Sequence, residues 1–207
     1  MKRLLAILII GAVSTVAAAC SSDTDHSDTG MGVSSATTTG SAASATTASA
    51  SGEQATFNDP DVSFAQGMIP HHEQAVEMAD LAFEPAREAG AEVVDLATRV
   101  KAAQDPEIQQ MTGWLEAWDQ PMEMSEGDMG SMEGMMSEEE MAALEAASGT
   151  DLDRMWLEMM SAHHQSAIAM AQTEQADGMN AEAIALAGQI IAAQQAEIDE
   201  MRGLLEG

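Results

Sequence analysis

The chain has 207 residues, with 35 acidic against 7 basic side chains and a formal charge of −28. That charge argues against nucleic acid and anionic membrane surfaces as partners; it favours solubility and attracts cations. The single cysteine excludes an internal disulfide, so the fold must be held by packing or by metal.

Residues 1–20 read as an export signal. Lys2 and Arg3 supply the positive start, Leu4 to Ile10 the apolar run, and Ala17-Ala18-Ala19-Cys20 a small-residue cleavage box. Cys20 follows the small residues as the lipidated cysteine of a bacterial lipoprotein does. The alternatives are a plain secretory signal and a membrane helix, but the apolar run is short for a spanning helix. The expectation is a lipoprotein on the outer face of the cell membrane, touching that membrane through its lipid alone. Residues 21–56 are Ser, Thr, Ala and Gly with almost no large apolar group, too little to offset their ordering entropy. They read as a flexible tether, with His26 solvated inside it.

Residues 57–207 read as one all-α domain. β-branched residues are sparse, Tyr is absent, and Ala, Met, Glu, Gln and Leu dominate. Asp59-Pro60 suits an N-cap and a first-turn proline, so a first long helix is predicted from there to about Phe83. A second should run from Ala86 or Ala91 to Trp118, stopped by Gln120-Pro121. Ser137 to Glu140 forms a capping box for a short helix ending by Gly149. A third long helix should span Thr150 to Asp177 and a fourth Asn180 to Leu205, with Gly178 between them. Pro70 and Pro106 fall inside predicted helices, where each removes one backbone hydrogen bond and favours a kink.

The two halves repeat. Met68-Ile69-Pro70-His71-His72-Glu73-Gln74-Ala75-Val76-Glu77-Met78-Ala79 recurs 92 residues later as Met160-Ser161-Ala162-His163-His164-Gln165-Ser166-Ala167-Ile168-Ala169-Met170-Ala171, with six of twelve positions identical. Ala102, Ala103, Gln104, Glu107, Ile108 and Met111 recur 90 residues on as Ala192, Ala193, Gln194, Glu197, Ile198 and Met201. Two related helical hairpins predict an antiparallel four-helix bundle with an approximate internal two-fold.

Four of the five histidines lie in the repeated pairs. At 100° per residue the first helix gathers Phe64, Met68, His71, His72, Ala75, Ala79 and Ala82 on one face. The third gathers Trp156, Met160, His163, His164, Ala167 and Ala171, and Met78 and Met170 lie at the margins. The second gathers Leu96, Val100, Ala103, Glu107, Met111 and Trp114; the fourth Ile190, Ala193, Glu197, Met201 and Leu204. A buried carboxylate needs a partner, and the imidazoles are the candidates for Glu107 and Glu197. Such pairs either fix helix register or orient a metal-binding His through its second nitrogen. Imidazole and thioether suit soft and borderline transition metals, copper above all. Residues 121–141 add a Met-rich loop (Met122, Met124, Met129, Met132, Met135, Met136, Met141) in a Gly, Ser and Glu background, either a capture segment for monovalent copper or a linker.

These motifs resemble the extracytoplasmic domain of unknown function 305 family. The resemblance spans residues 57–206: Phe64, Met68-Ile69-Pro70-His71-His72, Ala75 and Met78-Ala79, then Ala103-Gln104, Glu107-Ile108, Met111 and Trp114-Leu115. It implies a ferritin-like four-helix fold, export and, by analogy with CopM-like members, copper binding. By matching positions, the ligands implied are Met68, His71, His72 and Met78, with Met160, His163, His164 and Met170. Glu107, Met111, Glu197 and Met201 stand behind them as supporting groups or further ligands. The second copy has Ser161-Ala162 where the first has Ile69-Pro70.

The leading reading is therefore a copper-binding lipoprotein, not an enzyme, that sequesters copper or hands it to another copper-handling protein; Cu(I) is favoured and Cu(II) allowed. A metal-free helical scaffold locked by Glu–His pairs is the main alternative. A dimetal oxidase needs Glu-x-x-His, and no Glu stands three residues before any of the four paired histidines. No nucleophilic triad, phosphate loop or basic aromatic surface is visible.

Overall fold

The structure, a computed structural model, describes residues 56–124 and 134–207. The export signal, Cys20, His26, the tether up to residue 55 and the middle of the Met-rich loop, with Met129 and Met132, lie outside the described residues. All regular structure among the described residues is helical: α1 (Asp59–Phe83), a 3-10 turn (Pro85–Arg87), α2 (Ala91–Ala117), α3 (Glu138–Ala146), α4 (Gly149–Asp177) and α5 (Ala181–Glu206).

The helix starts follow local capping chemistry. Asn58, not Asp59, caps α1: its side chain accepts from Asp61 N at 3.2 Å, and Asp61 Oδ2 accepts from Asn58 N at 2.7 Å. Asp59 and Pro60 are the first helical residues. Ser137 and Glu140 form the expected box at α3. Asn180 caps α5, accepting from Glu182 N and Ala183 N. Gly90 precedes α2 and donates its N–H to Asp153 Oδ1 at 2.8 Å. A Cβ there would stand 2.7 Å from that carboxylate, so only glycine allows the approach without a shift. Pro70 and Pro106 sit inside α1 and α2 without ending them.

α1 packs along α2 and α4 along α5; the two pairs meet chiefly where α1 faces α4. Trp156 Nε1 donates to Met78 O at 2.9 Å, His71 stacks on His163, and Phe64 and Met170 border one groove. Residue numbers rise along α1 as they fall along α4 through these levels, so these two helices run in opposite directions. Arg99 on α2 reaches Glu200 on α5 at 2.6 Å. Both sides of the Met-rich segment are tied to α1: Gln66 Nε2 donates to Pro121 O at 2.6 Å, and Gln74 bonds both N and O of Met136.

The apolar core is in two parts. One holds Met78, Leu96, Val100, Leu152, Trp156, Met160, Ile198 and Met201. The other holds Phe64, Met68, Met111, Trp114, Ala167, Ala187 and Ile190. Between them each long helix contributes a polar layer: His71 and His72 from α1, Gln104 and Glu107 from α2, His163 and His164 from α4, Gln194 and Glu197 from α5. Ala103 and Ala193, predicted to face inward, are exposed, and Gln104 and Gln194 are buried instead. The inward stripe of α2 passes through Leu96, Val100, Gln104, Glu107 and Met111, a phase that turns Ala103 out.

Candidate metal centre

The polar layer is where the sequence placed its candidate residues. All four imidazoles are buried. His71 and His163 meet at the α1–α4 contact with ring centroids 3.7 Å apart and planes tilted by 37°. His72 and His164 turn outward toward α2 and α5. His72 Nε2 lies 2.9 Å from Glu107 Oε2 and His164 Nε2 lies 2.8 Å from Glu197 Oε2. These carboxylates stay partly exposed, at 18% and 14% of their side-chain surface, so each keeps water on one side and imidazole on the other.

An ionised carboxylate only accepts, so in a neutral ring paired with one, Nε2 carries the proton and Nδ1 keeps the lone pair. Nδ1 of His72 and of His164 is buried with no hydrogen-bond partner, and so are both ring nitrogens of His71 and of His163. Six of the eight ring nitrogens are thus left bare inside the protein. A buried polar atom without a partner costs about 1–3 kcal/mol. Such a layer is a poor way to hold helices together and a good way to present lone pairs.

Electrostatics keep those lone pairs free. Burial, then His72 and His164, lower the His71 pKa from 6.5 to about 3. Burial, then His71, His164 and His72, lower that of His163 to about 2, against a smaller opposing pull from the His71 backbone, which approaches the ring without reaching hydrogen-bond geometry. At neutral pH both inner rings are uncharged, the form that binds metals.

The sulfurs divide into two groups. Met68 and Met160 are fully buried, one helical turn before His71 and His163, a rise of roughly 4.5 Å. Met111 and Met201, also fully buried, lie about one turn beyond Glu107 and Glu197. These four line the two apolar faces of the layer. Met78 and Met170 are two turns, roughly 10 Å, from the inner rings along their helices. The structure places Met78 beside Trp156, and Met170 with Phe64 at a groove. Among the described residues no group of three or more His, Cys, Asp or Glu side chains is poised around one metal position.

Sequence reasoning missed four buried groups. Gln104 and Gln194 are buried with their carbonyl oxygens unpartnered; their exact repetition at the 90-residue offset was the available signal. Asp61 and Glu174 form a buried carboxyl pair at one end of the helices. Asp61 accepts from Met179 N and Asn180 N. Burial, then Asp61, raise the Glu174 pKa from 4.5 to about 8. Nothing in the sequence links these two positions.

The family model described as domain of unknown function (DUF305) matches residues 61–205. The chain is similar to a DUF305 protein of Streptomyces coelicolor named as a candidate secreted protein, at 30% identity over 71% of this chain and 92% of that one, with a TM-score of 0.66. It is similar to a DUF305 fragment from Deinococcus radiodurans, at 33% identity over 72% of this chain and 97% of that one, with a TM-score of 0.64. It is also similar to CopM in its Cu(I)-bound form, at 28% identity over 70% of this chain and 95% of that one, with a TM-score of 0.60. CopM has been solved in Cu(II)-bound and silver-bound forms as well. No curated protein matches the chain. No helix among the described residues is long and apolar enough to cross a membrane.

Proposed function

We propose, since the chain belongs to the DUF305 family, that it is an exported copper-binding protein whose cargo is held in the histidine layer. The observation that carries this reading is the set of six bare ring nitrogens between two sulfur-bearing apolar clusters. Neutral imidazole and thioether together form a soft to borderline donor set, which suits Cu(I), with Cu(II) as a second form. The residues that would hold an ion between the inner rings are His71 and His163, with Met68 and Met160 one helical turn away along their helices; His72 and His164 are further candidates beside them. Met111 and Met201 are further candidates. Glu107 and Glu197 orient the outer rings through Nε2 and leave Nδ1 for the metal. CopM, similar over most of the folded part and solved with copper and silver, supports the same chemistry here.

The finer architecture belongs to the same proposal: an antiparallel four-helix bundle of ferritin-like kind, built from two related hairpins. So does the setting, a lipoprotein anchored through Cys20 outside the cell membrane, which sequesters copper or passes it to a partner and performs no reaction. The secreted relative supports export. Locking of the bundle by Glu–His pairs engages two of the eight ring nitrogens and coexists with copper binding.

Cu(I) titration against a chromophoric chelator tests the proposal. The wild type should withhold copper from the chelator, and the His71→Ala/His163→Ala variant should lose its tightest ion. Copper should also raise the wild-type melting temperature, because a ligand bound only by the native state stabilises it. Equal stoichiometry and affinity in the two proteins, with no thermal shift, would refute the reading.

A further inference from the structure

We propose a second soft-metal site outside the histidine layer, made by the thioethers of Met124 and Met170, whose sulfurs both lie beside Gly67. It rests on copper being the cargo, but not on the histidine layer being its seat. Gly67 is buried inside α1, and a Cβ built on it would stand 3.7 Å from the sulfur of Met124 and 3.7 Å from the sulfur of Met170. The two sulfurs therefore lie no further apart than twice that distance. A monovalent ion bridging two sulfurs holds them roughly 5 Å apart, given metal–sulfur bonds of about 2.3 Å. The three rotatable bonds of each methionine can close any remaining gap.

Three features bear on this pair. Glycine inside a helix costs about 1 kcal/mol relative to alanine, and here both sulfurs come to van der Waals contact distance of the position a Cβ would occupy. Position 159, the equivalent of Gly67 at the 92-residue offset, is Met159, which packs its own side chain onto the core. The glycine therefore belongs to the first half alone. Met170 also borders a surface groove of about 340 Å³ whose lining includes Asp59, Phe64 and Glu174, so one of the two methionines lies beside solvent and carboxyl groups.

Gly67 lies four residues before His71, roughly 6 Å along the helix. An ion at the sulfur pair is thus one helical turn from the histidine layer. The site takes Cu(I) or Ag(I) from solvent and stands next to the place where the proposed function seats the ion. It gives Met170 a role that its distance from His163 denies it in the layer itself.

The test uses the intact chain with methyl-13C methionine and Ag(I), a redox-inert probe. Met124→Leu and Met170→Leu assign the two methyl signals; leucine is close in volume, so the fold is retained. Silver should shift both methyl signals in the wild type and in His71→Ala/His163→Ala. Met124→Leu/Met170→Leu should bind one equivalent less. If silver moves the histidine ring signals but leaves both methyls in place, the sulfur site is overturned and the histidine layer survives. If the methyls move and the rings do not, the layer fails and the sulfur site stands. An unchanged silver equivalence in the double leucine variant would also overturn the sulfur site.

Discussion

His71→Leu should make the metal-free protein more stable. His71 is 1% exposed, stacks on His163 and leaves both ring nitrogens without a partner. Leucine has a similar volume and no polar atom. Relief of the unpartnered nitrogens is worth about 1–3 kcal/mol, set against up to about 1.5 kcal/mol for imperfect repacking. The expected net gain is about 1–2 kcal/mol at pH 7. For a domain of this size that is roughly 2–8 °C in melting temperature.

Acid should widen the difference. The folded-state pKa of His71 is depressed from 6.5 to about 3 and that of His163 to about 2. As pH falls below 6.5, the unfolded chain takes up these protons before the native one does. The associated stability is therefore present above pH 6.5 and is lost through the window down to about pH 3. Between pH 7 and pH 5 each inner histidine should cost the native state about 2 kcal/mol. His71→Leu removes one of the two, so its advantage over wild type should grow by about 2 kcal/mol at pH 5. Urea unfolding at both pH values, with a copper chelator present, measures this. A variant less stable than wild type at pH 7 and pH 5 alike would show that the native state satisfies those nitrogens, and the argument from bare lone pairs would fall.

Glu107→Ala should lower stability by about 1–3 kcal/mol, because it strips His72 Nε2 of its acceptor. It should also weaken copper binding by about tenfold or more, since the ring loses the contact that holds its tautomer; chelator competition reads the second effect. Glu174→Gln should stabilise the protein at alkaline pH. The folded-state pKa is raised from 4.5 to about 8, so wild-type stability is full below pH 4.5 and drains as pH rises to 8. Unfolding curves should coincide near pH 4 and separate by about 4 kcal/mol at pH 8. Trp156→Phe removes the indole donor to Met78 O and some buried surface, and should cost about 1–3 kcal/mol by thermal melting.

The helices were legible because their signals are local. Ser137-Glu138-Glu139-Glu140 specifies a helix start by itself, and the Met-x-x-His-His repeat reveals both halves before any contact is known. The Glu107–His72 and Glu197–His164 pairs were also legible, since a carboxylate on a core stripe must find a partner. What escaped depends on phase and distance. Ala103 and Gln104 are adjacent, and the phase of the stripe, set by packing along all of α2, decides which turns inward. Met78 lies near the face of His71, but a face does not measure distance along the axis, and two turns put its backbone carbonyl against the Trp156 indole. Asp61 and Glu174, like Met124 and Met170, are brought together by tertiary packing across long stretches of chain. Gly67 lies beside both sulfurs, which no spacing rule marks.

The same geometry that weakens the layer suits it to a cation. The apolar clusters on either side exclude water, and burial drives the inner rings to their neutral form. Outer carboxylates touch solvent and draw cations without entering the space between the rings. A scaffold under selection for stability alone would replace the inner histidines with leucine, as the first prediction supposes. Their presence in both halves, at matched positions of the sequence repeat, means that the cost is carried twice. It is offset only when something occupies the lone pairs. An ion shared across the α1–α4 contact would bind both halves at once, so binding and the docking of the two hairpins should be coupled: copper that stabilises the chain should protect α1 and α4 from hydrogen exchange together, and protection confined to one of them would contradict a shared site.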